Sequence, residues 1–167
     1  MEPQATLEFF ISPMRVQTLP EINFFYITGK PVPFTDLDKD FDALLDSLEI
    51  AKTQAHLDQA APNITRYYKV DGSEPALLMM EVGTLVKPGT QPAGSAKVKT
   101  LAPFHCAGLL LWGSLAHIGH AYEALQKAIQ EARLVPTGEN QEWTYYFENV
   151  DSPHNLMALF IEVQENA

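Results

Sequence analysis

Residues 65–86 (TRYYKVDGSEPALLMMEVGTLV) return in altered form as residues 144–163 (TYYFENVDSPHNLMALFIEV). Each copy starts on a tyrosine pair, crosses a turn holding Asp, Ser and Pro, and ends in an apolar run. Tyr67 and Tyr145 are 78 positions apart, as are Tyr68 and Tyr146. Residues 16–20 are echoed by 98–103 at a spacing of 82, and the helix pattern starting at Phe41 by that starting at Tyr122 at a spacing of 81. Loop insertions produce drifts of this size. The chain therefore reads as one domain, 1–167, made of two tandem half-domains, 14–87 and 96–164, joined by the linker 88–95.

Composition narrows what such a domain can do. With 167 residues, 46% of them hydrophobic, the chain supports one ordinary core. Eleven basic against twenty-one acidic residues give a net charge of −10, which repels phosphate backbones and anionic lipid heads. Direct nucleic-acid binding and membrane association are therefore not expected, whereas a neutral or cationic small molecule is tolerated. The first ten residues lack a basic stretch followed by an apolar one, and the apolar run 106–112 is too short to span a bilayer. A cytoplasmic location is expected. The single cysteine, Cys106, lies in that run and reads as a buried, inert thiol.

Along the chain, 7–19 predicts a strand broken at Pro13, and 22–28 (INFFYIT) a denser one closed by Gly29. Thr35 with the acids after it reads as a helix start, with Phe41, Leu44, Leu45, Leu48 and Ala51 forming the apolar face of a helix that ends near Thr53. The spacing of Asp36, Asp38, Asp40 and Asp42 resembles a calcium loop. Phe41 stands where that loop needs glycine, and Ser47 where it needs a bidentate glutamate, so these are solvated helix-start acids. A hairpin, 64–70 with 77–86, follows. The second half repeats the order: a long strand over 98–112, a helix from Ser114 to about Arg133, and a hairpin of 143–148 with 156–163.

The expected fold is α+β, two β-α-β-β halves forming a mainly antiparallel sheet with two helices on one face and a ligand cleft between the halves. Alternation decides which residues meet the helices. Leu78, Met80, Val82 and Val86 share one parity, and Met157, Leu159, Ile161 and Val163 share another, so both sets belong to the helix side. The other face then carries Met79, Glu81, Gly83 and Leu85, with Leu156, Ala158, Phe160 and Glu162. A glutamate in mid-strand beside Met79 is the anomaly, and it is expected in an aromatic-lined cleft. Phe24 and Trp112 are expected in the core.

The ordered set T-R-Y-Y-K, D-G-S-E-P, M-E-V-G, G-S-x-x-H-I-G-H-A-Y-E-A-L and W-T-Y-Y resembles the GyrI-like small-molecule-binding domain, the effector-binding module of multidrug-responsive transcription activators. The resemblance covers nearly the whole chain. It implies a cleft near the symmetry axis where aromatic rings sandwich flat hydrophobic or cationic compounds and a buried carboxylate offsets charge. Carried over by position, the resemblance gives Glu81, Tyr67, Tyr68, Tyr145 and Tyr146; the reading of strand faces and candidate rings adds Trp143, Met79, Tyr26 and Phe160 to the ligand-binding set, and which tyrosine of each pair faces the cleft stays open. The second-repeat equivalent of Glu81 is Ala158, a departure from the pattern. The reading is of a stand-alone binding protein, without cofactor.

Two alternatives accompany it. Some relatives are hydrolases of strained cyclopropane-type electrophiles, and here Glu81 would be the general base with Tyr67 or Tyr145 as proton donor. Inhibition of a topoisomerase is the other, resting on acidic charge. No metal site is expected, since His117 and His120 share a helix face and only His105 could approach them.

Overall fold

The computed structural model describes residues 9–165. Leu7 and Glu8, where the first expected strand begins, lie outside the described residues. The elements run β1 (Phe9–Ile11), β2 (Arg15–Leu19), β3 (Ile22–Thr28), α1 (Phe41–Gln54), β4 (Asn63–Lys69), β5 (Leu78–Val86), β6 (Lys97–Leu101), β7 (Phe104–Gly113), α2 (Ile118–Glu131), β8 (Leu134–Tyr146) and β9 (Leu156–Glu165). All nine strands form one antiparallel sheet in the order β1-β7-β9-β8-β4-β5-β3-β6, with β2 also on β7. The α+β class is the one expected, with an added strand per half. Pro13 separates β1 from β2, and Ala102-Pro103 divide the expected single strand 98–112 into β6 and β7, because proline cannot donate to a ladder.

Register shows how alike the halves are. Arg15 pairs with Gly108, and Lys97 with Tyr26; 82 positions separate Arg15 from Lys97 and Tyr26 from Gly108. Thr65 pairs with Val82, and Glu142 with Leu159; 77 positions separate Thr65 from Glu142 and Val82 from Leu159. The β4–β8 ladder is the seam between the halves.

Each helix covers its own half on the same side of the sheet. Leu48 and Ala51 of α1 pack on Phe25, Ile27, Met80 and Val82. Ala121, Leu125 and Ile129 of α2 pack on Leu109, Leu111, Met157, Leu159 and Ile161. The strand parities read from sequence are those observed. The opposite face also carries buried residues, Phe24, Ile64, Cys106, Ala158 and Phe160 among them. A Cβ on Gly83 would come 2.6 Å from the Phe24 ring, and one on Gly108 closer still to the Phe160 ring. Both glycines let an aromatic ring lie directly on the sheet.

Three local readings need correction. Thr35 does not cap α1; residues Phe34–Lys39 form a 3-10 turn, and neither end of it nor Asp40 makes a side-chain cap. Strand β8 begins at Leu134 rather than Trp143, because Gly138 (φ 110°) and a register shift between Pro136 and Asn140 let a Pro- and Gly-bearing stretch stay in the sheet. Trp112, expected in the core, is 56% exposed because its pairing with Leu156 places it on the face away from α2.

Candidate functional site

The anomaly singled out in the sequence, Glu81, is buried, and its charge is already matched. Arg66 bonds Oε1, while Lys99 Nζ (2.6 Å) and the Tyr68 hydroxyl (3.2 Å) meet Oε2. Arg66 also holds Glu139 through Nη2 (2.7 Å) and Nε (3.2 Å), and Gln141 links Glu139 to the Trp143 indole. Lys99 Nζ sits 4.3 Å from the Tyr26 ring centre, and the Arg66 guanidinium 5.1 Å from that of Tyr68. Burial and Glu81 together push the Tyr68 phenol up to about 12. Every acid in this network has a cationic or amide partner.

The register decides which predicted residues meet. Arg66, Tyr68, Met79 and Glu81 share the face opposite the helices, with Tyr26, Trp143 and Phe160. Trp143 packs edge-on against Phe160 at 6.1 Å and tilts against Tyr145 at 6.5 Å. Tyr67 pairs with Met80 and so points the other way, toward the helices. Tyr67 and Tyr145 are therefore out of phase, despite their alignment in sequence; with the 77-residue spacing the counterpart of Tyr145 is Tyr68. Tyr146 lies beyond a register shift and is 51% exposed.

What Tyr67 meets was not foreseen. Its hydroxyl lies 3.4 Å from Glu142 Oε2, and the hydroxyl of Tyr122 on α2 donates to Glu142 Oε1 at 2.5 Å. Glu142 stands on β8 at the seam, paired with Thr65 of β4, on the helix-facing side. Helix α1 rests on β3 and β5 and α2 on β7 and β8, so this carboxylate lies on the helix side of the sheet where the ground covered by the two helices meets. It is half-buried, and its only hydrogen-bond partners among the described residues are the two phenols. Desolvation pushes its pKa above the usual carboxylate range, the phenols pull against that, and Asp38 adds to it. Burial, then the Glu142 charge, drive both phenols far above their ordinary value.

Farther along the seam lies a cavity of about 470 Å3, walled by Glu49 and Lys52 of α1, Asn63, Thr144, Tyr145 and Tyr146, among others; Glu142, Tyr67 and Tyr122 do not line it. Thr144 is two residues from Glu142 and on the same strand face, about 7 Å along the sheet.

Sequence reasoning missed Glu142 because it began the closing hairpin at Trp143 and sought the acid opposite Glu81, at Ala158. Alternation extended back to Leu134 would have put Glu142 in phase with Thr144. The remaining candidates stay apart. His117 and His120 stack with Phe9, at 4.1 and 5.9 Å, while His105 Nδ1 meets Thr18 Oγ1 at 3.0 Å. The described residues hold no group of three or more side chains suited to a metal ion. Among the described residues, no helix is long and apolar enough to cross a membrane.

No family model matches the chain, and no curated protein does. Solved structures do. The C-terminal domain of EcmrR superposes with a TM-score of 0.62 at 12% identity, covering 92% of this chain and 98% of that one. SAV2435 bound to tetraphenylphosphonium gives 0.64 at 13%, covering 92% and 94%. A hydrolase encoded by lin2189 from Listeria innocua gives 0.57 at 11%, covering 91% and 92%. The fold implied by the GyrI-like resemblance is thus the fold of this chain.

Proposed function

We propose that this protein, as one duplicated domain, binds hydrophobic, cationic small molecules in the groove between α1 and α2, with Glu142 as the counter-charge and Tyr67 and Tyr122 as its ring walls. One observation carries the reading: Glu142 is a desolvated but incompletely buried carboxylate to which the described residues supply phenols and no cation. A carboxylate in that setting gains most from a ligand that brings its own positive charge, and phenol faces add cation–π attraction. Glu81, by contrast, has Arg66 and Lys99 in that role. The fold shared with SAV2435, seen with tetraphenylphosphonium, supports the ligand class. Calorimetric titration tests it: tetraphenylphosphonium should bind the protein at least tenfold more tightly than neutral triphenylphosphine oxide, and equal affinities would overturn the reading.

A second reading, hydrolysis of strained cyclopropane-type electrophiles, is favoured by the same carboxyl. Burial raises the Glu142 carboxyl above its ordinary value, the direction a general base needs, and Tyr122 at 2.5 Å stands where a proton donor is needed. The fold shared with the lin2189 hydrolase is compatible with it. The general base moves from Glu81 to Glu142 in this version. Turnover lost in Glu142→Gln supports it, and binding without product retires it.

A further inference from the structure

The helix that flanks the groove on the first half carries a residue that packing alone does not explain. The three buried positions of α2 are Ala121, Leu125 and Ile129, all aliphatic, whereas those of α1 are Leu48, Ala51 and Lys52. Lys52 is only 2% exposed. Its ammonium has three donors, and two are engaged, each at the long distance of 3.3 Å, with Glu49 Oε1 and Asn63 Oδ1. The described residues supply no third acceptor.

An ammonium withdrawn from water needs a firmly held anion beside it. Glu49 is a weak one, since its side chain is 49% exposed and it reaches Lys52 across a single helical turn, a geometry that contributes little. Lys52 also lines the 470 Å3 cavity, together with Asn63, Thr144, Tyr145 and Tyr146. Asn63 and Thr144 face each other across the seam, one step along the strands from Thr65 and Glu142. An incompletely buried carboxylate and a weakly paired ammonium thus stand on the helix side of one seam, where the strand position of Glu142 and that of the Asn63–Thr144 pair under Lys52 differ by two residues, about 7 Å along the sheet. Tyr146, about half exposed, adds aromatic surface to the wall of the same cavity.

We infer that the groove takes an amphoteric ligand: a flat aromatic body whose cationic group meets Glu142 and whose carboxylate meets Lys52. This inference rests on the reading of the groove as the ligand site and adds the second charge. The ligand carboxylate takes the place of Glu49, whose exposed side chain turns to solvent, and completes the donor set of Lys52 with a charge-assisted bond. A purely cationic ligand leaves Lys52 as it is and meets its like charge at the cavity end.

A matched pair of dyes separates the two ideas. Rhodamine 110 carries a free carboxylate beside its cationic xanthylium, and rhodamine 123 is its methyl ester. Fluorescence anisotropy with the full chain should show rhodamine 110 bound at least tenfold more tightly. Lys52→Met should remove that preference by weakening the carboxylate dye, and Lys52→Arg should keep it. Glu49→Gln, a change at an exposed position, should tighten the carboxylate dye at least threefold and leave the ester unchanged, which keeps the test open should Lys52→Met not fold. Equal binding of both dyes to the unaltered protein, a preference that persists in Lys52→Met, or no response to Glu49→Gln would each overturn the inference while leaving the groove as a cation site. Binding of neither dye would overturn the groove reading and this inference with it.

Discussion

The phenol of Tyr122, on α2, donates a 2.5 Å hydrogen bond to Glu142, on β8, and so ties the second helix to the strand at the seam of the two halves. The partner phenol from the first half, Tyr67, reaches the other carboxylate oxygen at 3.4 Å. A single acid thus reports on both halves at once, and its protonation is the first quantity to test.

Burial raises the pKa of Glu142 above its unfolded value, so the sign of its pH dependence is fixed. The folded protein favours the neutral form. Relative to Glu142→Gln, the unaltered protein keeps its full stability below the unfolded carboxyl value, about 4.3, and loses part of it as pH rises through the higher folded value. Urea denaturation from about pH 4 to neutrality should show the stability difference between the two proteins shifting toward the glutamine variant. Cation affinity should move the opposite way, rising with pH as Glu142 ionises, and should be flat in the variant. A flat difference in stability would contradict the placement of this group.

Glu81 should behave as a structural residue. Its loss in Glu81→Gln leaves Lys99 without its anion and Arg66 with Glu139 alone. Breaking one member of a buried ionic cluster costs about 3 kcal/mol, so denaturant melts should lose roughly that amount, and a loss below about 1 kcal/mol would speak against the network.

The two close approaches of rings to glycine differ in how far they can yield. Gly108→Ala pushes a methyl into the Phe160 ring, and overpacking of this kind costs about 2–3 kcal/mol. Adding Phe160→Leu should return a good part of that loss, a non-additivity of about 1 kcal/mol or more in a double-mutant cycle. Gly83→Ala meets the carbonyl oxygen of Phe25 as well as the Phe24 ring. Backbone cannot step aside, so Phe24→Leu should not rescue it.

Cys106 is fully buried, and burial together with the nearby Glu162 charge holds its thiol up at about 12. A disulfide reagent such as DTNB should leave the native protein unmodified at mildly alkaline pH and react with one thiol per chain in denaturant. Rapid native labelling would contradict the packing of β7 on β9.

Much of the fold was legible because strand alternation is a strict code. The parities of Leu78–Val86 and of the residues from Met157 to Val163 gave the helix side of both hairpins, and the bends at Pro13 and Pro103 are proline effects. The site was less legible. Alignment by tyrosine pairs was one residue out of phase, and in a strand one residue reverses the face, so Tyr67 was grouped with Tyr145 when it belongs with Tyr122. Glu81 drew attention as an acid in an apolar strand. Its cations come from Arg66, 15 residues earlier, and Lys99, 18 later, a closure that only the sheet order β4-β5-β3-β6 reveals. Glu142 was obscured by the Pro- and Gly-bearing start of β8, which reads locally as a loop.

The account turns on which of two acids answers to a bound cation. The dissociation constant of tetraphenylphosphonium, measured by calorimetry for the unaltered protein, for Glu142→Gln and for a folded Glu81→Gln, separates them. Losing a charge-assisted contact weakens binding by about 1.5–3 kcal/mol, so Glu142→Gln should raise the constant at least tenfold and Glu81→Gln should leave it within about twofold. The reverse pattern, with Glu81→Gln weakening the cation and Glu142→Gln sparing it, would put the site on the other face of the sheet and contradict the account.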